Sequence, residues 1–169
     1  MANKIEKLVF DDGLKRIDIN GNGILCFNPS DLNVYQRLMA LLRDIPTLEK
    51  TFMEKVQAIG AENAELKDGD IIEPTGKVLD VMREFDVAIK SRLSDVFGSR
   101  NDFDALFAGI NLMSPASNGE YVVTNFLHAI TPIVEEGIDK HRKLAASEAV
   151  AAARLNREQR RAMGKKGKR

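Results

Sequence analysis

Apolar and polar positions change rhythm along this chain. In the N-terminal quarter they come in short runs rich in apolar and β-branched residues, as strands require. The runs are "KIEKLVF" (Lys4–Phe10), "LKRIDI" (Leu14–Ile19) and "GILCF" (Gly23–Phe27). Asp11-Asp12-Gly13 and Asn20-Gly21 separate them, and Asn-Gly is a strong hairpin turn because both residues tolerate positive φ. The expectation is a three-stranded antiparallel meander over residues 4–28. A meander this small cannot stand alone, so it must pack on helices.

From residue 30 the rhythm changes to steps of three and four. Pro29-Ser30-Asp31 reads as a helix start, and Leu32, Tyr35, Leu38 or Met39, and Leu42 make one apolar face. Pro46 lacks a backbone donor and disfavours helix at Ile45, so an interruption is expected there. Thr47 can cap a fresh start, and Leu48, Phe52, Val56 and Ile59 carry the stripe to Gly60. Residues 61–74 are polar and turn-rich and read as a connector. The clearest amphipathic helix follows, with Thr75 as its cap and Val78, Met82, Phe85, Ile89, Leu93 and Val96 as its stripe. Gly98 stands where helices commonly end. A short helix comes next, with Asn101 as cap, Gly109 as stop, and Phe103, Leu106 and Phe107 as core plugs.

Ser117 and Glu120 have capping-box spacing and open the last long segment. Val122, Phe126, Ala129, Ile130 and Ile133 line its face, and Pro132 should kink it. Beyond Gly137 the character changes: "HRKLAASEAVAAARLNREQRRAM" (His141–Met163) is Ala-, Arg- and Glu-rich, with high helix propensity but only Leu144, Val150, Leu155 and Met163 as apolar residues larger than Ala. The organisation implied is a globular domain over 1–138, an exposed or conditionally folded helix over 139–163, and a disordered basic end over 164–169. The fold class is α+β, mainly α: a small β-meander packed on a helical bundle, with an extended C-terminal helix.

Composition changes little in this picture. A chain of 169 residues suffices for one domain with a core, and 30% charged residues with 6% aromatics suit a helical, soluble protein. No apolar run is long enough to span a membrane, and the N-terminus lacks the apolar region of a secretory signal. The expected location is therefore cytoplasmic. The single cysteine, Cys26, excludes an intrachain disulfide and reads as a small buried hydrophobe in its strand.

Charge changes more. From Arg154 to the end there are eight basic residues (Arg154, Arg157, Arg160, Arg161, Lys165, Lys166, Lys168 and Arg169) and one acid, Glu158, a net +7. Residues 1–153 carry 17 basic and 24 acidic residues, a net −7. An acidic body with a basic arm is built to touch something. One reading of the arm is a solubilising end. Another is nucleic-acid binding through phosphates, weakened by the acidic body and by an arm without aromatics to stack on bases. Docking to an acidic or helical protein is preferred, on complementary charge. Pairing of the arm with the acidic body of a neighbouring copy would give self-association that weakens with salt.

Catalytic and cofactor signals are sparse. Asp18, Asn20, Asn22 and Gly23 have the D-x-N-x-N-G spacing that begins a calcium loop, but its twelfth position is Pro29, which has no side-chain oxygen. His128 and His141 stand 13 residues apart without zinc spacing, and His128 reads as a partly buried, hydrogen-bonded histidine. No phosphate loop, dinucleotide fingerprint or nucleophile elbow occurs. Neither a catalytic set, a metal nor a cofactor is expected, and the chain reads as a binding protein rather than an enzyme.

The order of "FNPSDLNVYQRLMALL", "REFDVAIKSRLSDVFG", "NDFDALFAGINL", "EYVVTNFLHAI" and "LNREQRRAMGKKGKR" resembles the tail assembly chaperones of siphophages and prophages of Gram-positive bacteria. The similarity runs from about Leu8 to the C-terminus and rests on element order and patches such as "DVFG" and "LFAG". The resemblance implies a cytoplasmic chaperone of the bacterial host cell. It would bind the long helical tape measure protein, and tail tube subunits, during tail morphogenesis, and be absent from the finished virion. It also implies a frameshifted longer form in many members. Met39, Met53, Met82 and Met113 would make such a binding surface adaptable, or else are ordinary core. The alternatives are a nucleic-acid-associated phage protein using the basic arm and a structural head–tail component of the virion.

Overall fold

In the computed structural model, which describes residues 6–62 and 72–166, the Asn-Gly turn forms as its sequence requires. Asn20 and Gly21 hold positive φ of 52° and 77°. They join β1 (Lys15–Asp18) to β2 (Ile24–Phe27), an antiparallel pair with Lys15 opposite Phe27 and Ile17 opposite Leu25. Asp18 closes the turn by accepting the Gly21 N–H at 3.2 Å. The calcium-like spelling of this stretch is thus the spelling of a hairpin.

The third strand of the expected meander is a correction. Residues 6–10 form no strand, and Lys4 and Ile5 lie outside the described residues. Leu8, Val9 and Phe10 are 84%, 76% and 72% exposed. The cause lies just downstream. Asp11 and Asp12 accept the N–H groups of Gly13 and Leu14, local bonds that compete with a ladder. Asn28 donates to the Asp12 carbonyl at 3.2 Å and packs against Gly13, so the chain runs on past β2 and does not turn back along β1.

α1 (Leu32–Glu62) continues through Pro46 for 31 residues, where an interruption was expected. Leu41, Ile45 and Phe52 are buried on both sides of the proline, and this tertiary anchoring outweighs one lost backbone bond. The buried face is Val34, Leu38, Leu41 and Ile45, rotated from the expected one, and Leu32 points to solvent. α2 (Ile72–Phe97) buries Phe85, Ile89, Leu93 and Val96 as its periodicity indicates. Thr75 lies inside α2 and does not cap it. Gly98 ends α2 at φ 96°, its N–H donating to Ser94.

α3 (Phe103–Leu106) is capped by Asp102, whose carboxylate accepts from Asp104 and Ala105. The expected cap, Asn101, has another task. It is buried, and its side chain takes the Cys26 N–H at 2.9 Å and donates to the Cys26 carbonyl at 3.0 Å. It also donates to Phe97 O at 2.8 Å, tying the end of α2 to β2. One amide side chain thus stands in for a neighbouring strand.

α4 (Val122–Lys166) runs for 45 residues through Pro132. The expected capping box does not form, and Ser117 and Glu120 are exposed. Instead the first N–H groups are taken by the preceding loop: Val122 donates to Ser114 O and Val123 to Leu112 O, both at 3.0 Å. That loop is fixed on α2 by Asp86, which accepts the Leu112 N–H at 2.8 Å and pairs with Lys90 at 2.7 Å. Lys90 also reaches Asp104 at 2.7 Å. Burial works to lower the pKa of Lys90, but the two carboxylates outweigh it and hold the pKa above the ordinary lysine value.

The core lies where α1, α2 and the first part of α4 meet under the hairpin, and it is one continuous apolar cluster. Phe27, Phe97, Phe103, Phe107 and Phe126 form its aromatic end, with Phe27 and Phe97 edge-on at 5.0 Å. The architecture is α+β, mainly α, with a hairpin in place of the meander.

Candidate functional site

Two surfaces of α4 stand out, one on each side of Gly137. The first lies beyond the body. Ile138 is buried, and from Asp139 onward every side chain the structure describes is exposed. Asp139 to Lys166 makes up 28 of the helix's 45 residues, about 42 Å at 1.5 Å per residue. Leu144, Val150 and Leu155 are 63%, 53% and 59% exposed on this arm. Ala146, Ser147, Val150, Ala151, Arg154 and Leu155 form a shallow, mainly apolar face. Nearer the body the arm carries local ion pairs, Lys140–Glu136 at 2.6 Å and Arg142–Asp139 at 4.0 Å.

Of the basic residues singled out in sequence, Arg154 and Arg157 sit exposed on this helix. Arg160, Arg161, Lys165 and Lys166 fall within its helical span, with side chains outside those described. Lys168 and Arg169 lie outside the described residues altogether.

The second surface is a groove between β1 and α4, about 490 Å³ in volume. Ile17 and Ile19 form its sheet wall, and Phe126, Ala129, Ile130 and Ile133 form its helix wall. Asp18, Asn20, Asn22 and Asn125 supply its polar groups. Lys140, with a smaller contribution from Lys15 at the start of β1, holds the Glu136 carboxyl below its ordinary pKa.

The sheet wall has a free edge. Cys26 gives both its backbone groups to Asn101, so the bonded rungs of the hairpin are Lys15–Phe27, Ile17–Leu25 and Ile19–Gly23. The N–H and C=O groups of Arg16 and Asp18 then point away from β2. Among the described residues no backbone group pairs with them.

Sequence reasoning saw the groove without recognising it. Val122, Phe126, Ala129, Ile130 and Ile133 were expected to be the core face of α4. The core face is instead Val123, Leu127, Ile130, Val134 and Ile138, and the expected stripe lines the groove. The signal was present as an apolar sector wider than one buried stripe needs.

Other chemistry is structural. His128 is 66% exposed, with Nδ1 3.7 Å from Glu120, which corrects the expectation of a partly buried residue. Cys26 is half-buried in β2. Met113 is buried, Met39 and Met82 pack against the core, and only Met53 of these four is exposed. Tyr121 has its hydroxyl against Met53 and its pKa raised by burial and by Glu49. Among the described residues no group of three His, Cys, Asp or Glu side chains is placed to hold a metal. No helix among them is long and apolar enough to cross a membrane. No protein-family model, curated protein or solved structure matches the chain.

Proposed function

We propose that this protein acts by non-covalent protein binding, as a phage tail assembly chaperone that holds the tape measure protein during tail morphogenesis. The observation that carries the reading is the projecting arm of α4. It offers a solvent-exposed helix with an apolar face at Val150, Ala151 and Leu155, and it carries the eight basic residues that begin at Arg154. A long helical partner needs such a surface: an apolar strip for its own apolar face and cations for its acidic segments. The acidic body disfavours phosphate backbones by like-charge repulsion.

The test is an affinity capture of the full chain from phage-producing cells after nuclease treatment. A second bait ends at Ala153. Recovery of a long helical phage protein by the full chain alone supports the reading and assigns the contact to the arm. Nucleic acid recovered before nuclease and no protein after it defeats it. So does finding the chain at fixed copy number in purified particles, which would make it a virion component.

A further inference from the structure

We propose that two copies of this protein pair by laying the segment Leu8–Asp12 of each against the arm of the other, at Val150 to Arg157. Two unpartnered features of one chain supply complementary surfaces. The segment holds three consecutive large apolar residues, Leu8, Val9 and Phe10, followed by Asp11 and Asp12, and all five are exposed. The arm holds an exposed apolar face at Val150, Ala151 and Leu155, with Arg154 on the same face and Arg157 just beyond it. One surface is apolar and acidic, the other apolar and basic.

The spacings agree. In an extended segment Leu8 and Phe10 share a side, about 7 Å apart. On the helix Ala151 and Leu155 share a side, about 6 Å apart. With the segment running parallel to the arm, Leu8 meets Ala151 and Phe10 meets Leu155. Asp11 and Asp12 then fall toward Arg157 and the basic end of the arm. The reverse direction keeps the apolar contact but carries both aspartates back toward Ser147 and Glu148, where a like charge repels them.

The occupant is a second copy because a chain's own segment cannot reach. The Asp12 carbonyl is held by Asn28 at 3.2 Å, next to Pro29, and Pro29 packs on Gly137. From that anchor two residues of chain carry Phe10 at most about 7 Å. Val150 and Leu155 stand about 20 Å and about 27 Å along the helix beyond Gly137. A neighbouring copy has no such tether. Two arms do not suit each other, since both carry the same excess of cations. Segment and arm are different patches, so the pairing is reciprocal about a two-fold axis, and two copies close it. The contact is independent of what else the arm binds.

The experiment is sedimentation equilibrium of the full chain over a concentration series, in about 0.1 M and about 1 M salt, between which the screening length falls from about 10 Å to about 3 Å. The expected result is a rise to twice the mass of one chain, at lower concentration in the weaker salt. Phe10→Ser and Leu155→Ser should each weaken pairing by about tenfold or more. Their circular dichroism spectra should be unchanged, because both side chains are exposed in their own chain. In a Cys26→Ser background, Phe10→Cys and Leu155→Cys chains should form a disulfide-linked dimer when mixed, and far less of one alone. A mass of one chain at every concentration in the weaker salt overturns the proposal. So does pairing that ignores salt, survives either serine substitution or yields no mixed disulfide. Pairing lost on truncation at Ala153 but kept in Phe10→Ser places the arm on another part of the body, and also overturns it.

Discussion

α4 is one helix with two ways of being helical. From Val122 to Ile138 it is held by burial: Val123, Leu127, Ile130, Val134 and Ile138 recur at three- and four-residue steps, each at most 2% exposed. From Asp139 to Lys166 nothing described is buried, and Leu144, Val150 and Leu155 stand six and five residues apart, a spacing that makes no continuous stripe. The arm is carried by alanine-rich propensity and by the half before it. A helix's cost lies in its first turn, and the buried half has already met it, so the arm only propagates. The first half is therefore specified by what it touches, and the second by what it is made of.

The same substitution in each half tests this most sharply. Leu127→Ala should lose about 3 to 4 kcal/mol of stability through its cavity, read as a shift in urea midpoint. Gly137→Ala comes next. A Cβ there would overlap the Pro29 backbone, and about 3 kcal/mol is expected from forced displacement at a buried seam. Asn101→Ala, away from α4 but in the same body, should cost about 2 kcal/mol by leaving Cys26 and Phe97 groups unsatisfied. It also opens the second sheet edge, so turbidity on storage should rise with it.

A pH series separates burial from propensity less drastically. Lys90 has a folded-state pKa above the ordinary 10.5, so its contribution is fully present below that pH and fades as pH rises through the higher folded value. The stability gap between the native chain and Lys90→Met should hold steady through neutral pH and narrow above 10.5. A gap that narrows on acidification instead would contradict the assignment. The smallest effects belong to the arm. Leu144→Ala and a chain ending at Ala153 should each change stability by less than about 0.5 kcal/mol, while the second loses helical ellipticity.

What could be read in the sequence follows the same division. The hairpin turn, the α2 stripe, the Gly98 stop and the exposed character of the described side chains beyond 138 all rest on local chemistry and were legible. Apart from the third strand, displaced by the local Asp11 and Asp12 turns, the failures are tertiary. Pro46 is an interruption by local rules, yet Ile45 and Phe52 are buried on either side of it. Ser117 and Glu120 spell a capping box, yet carbonyls of Leu112 and Ser114 take the donors first. Asn101 looks like a helix cap, and its true partner, Cys26, is 75 residues away. The basic residues of the arm were visible as charge. The groove was hidden, because an apolar stripe does not say whether its cover belongs to the same chain.

Gly137 has one more consequence. It is buried, its bare Cα lies against Pro29, and its carbonyl takes the Ser30 hydroxyl at 3.0 Å. One residue later the helix leaves the body. The seam is thus the fulcrum of a lever about 42 Å long, and a tilt of about 5° there swings the tip by nearly 4 Å, by the rise per residue alone. Torque applied at the tip arrives at Pro29, the residue that joins the hairpin to α1. Load on the distant end is therefore delivered to the sheet, and mechanical tension on the arm becomes strain in the hairpin, whose β1 edge is open among the described residues.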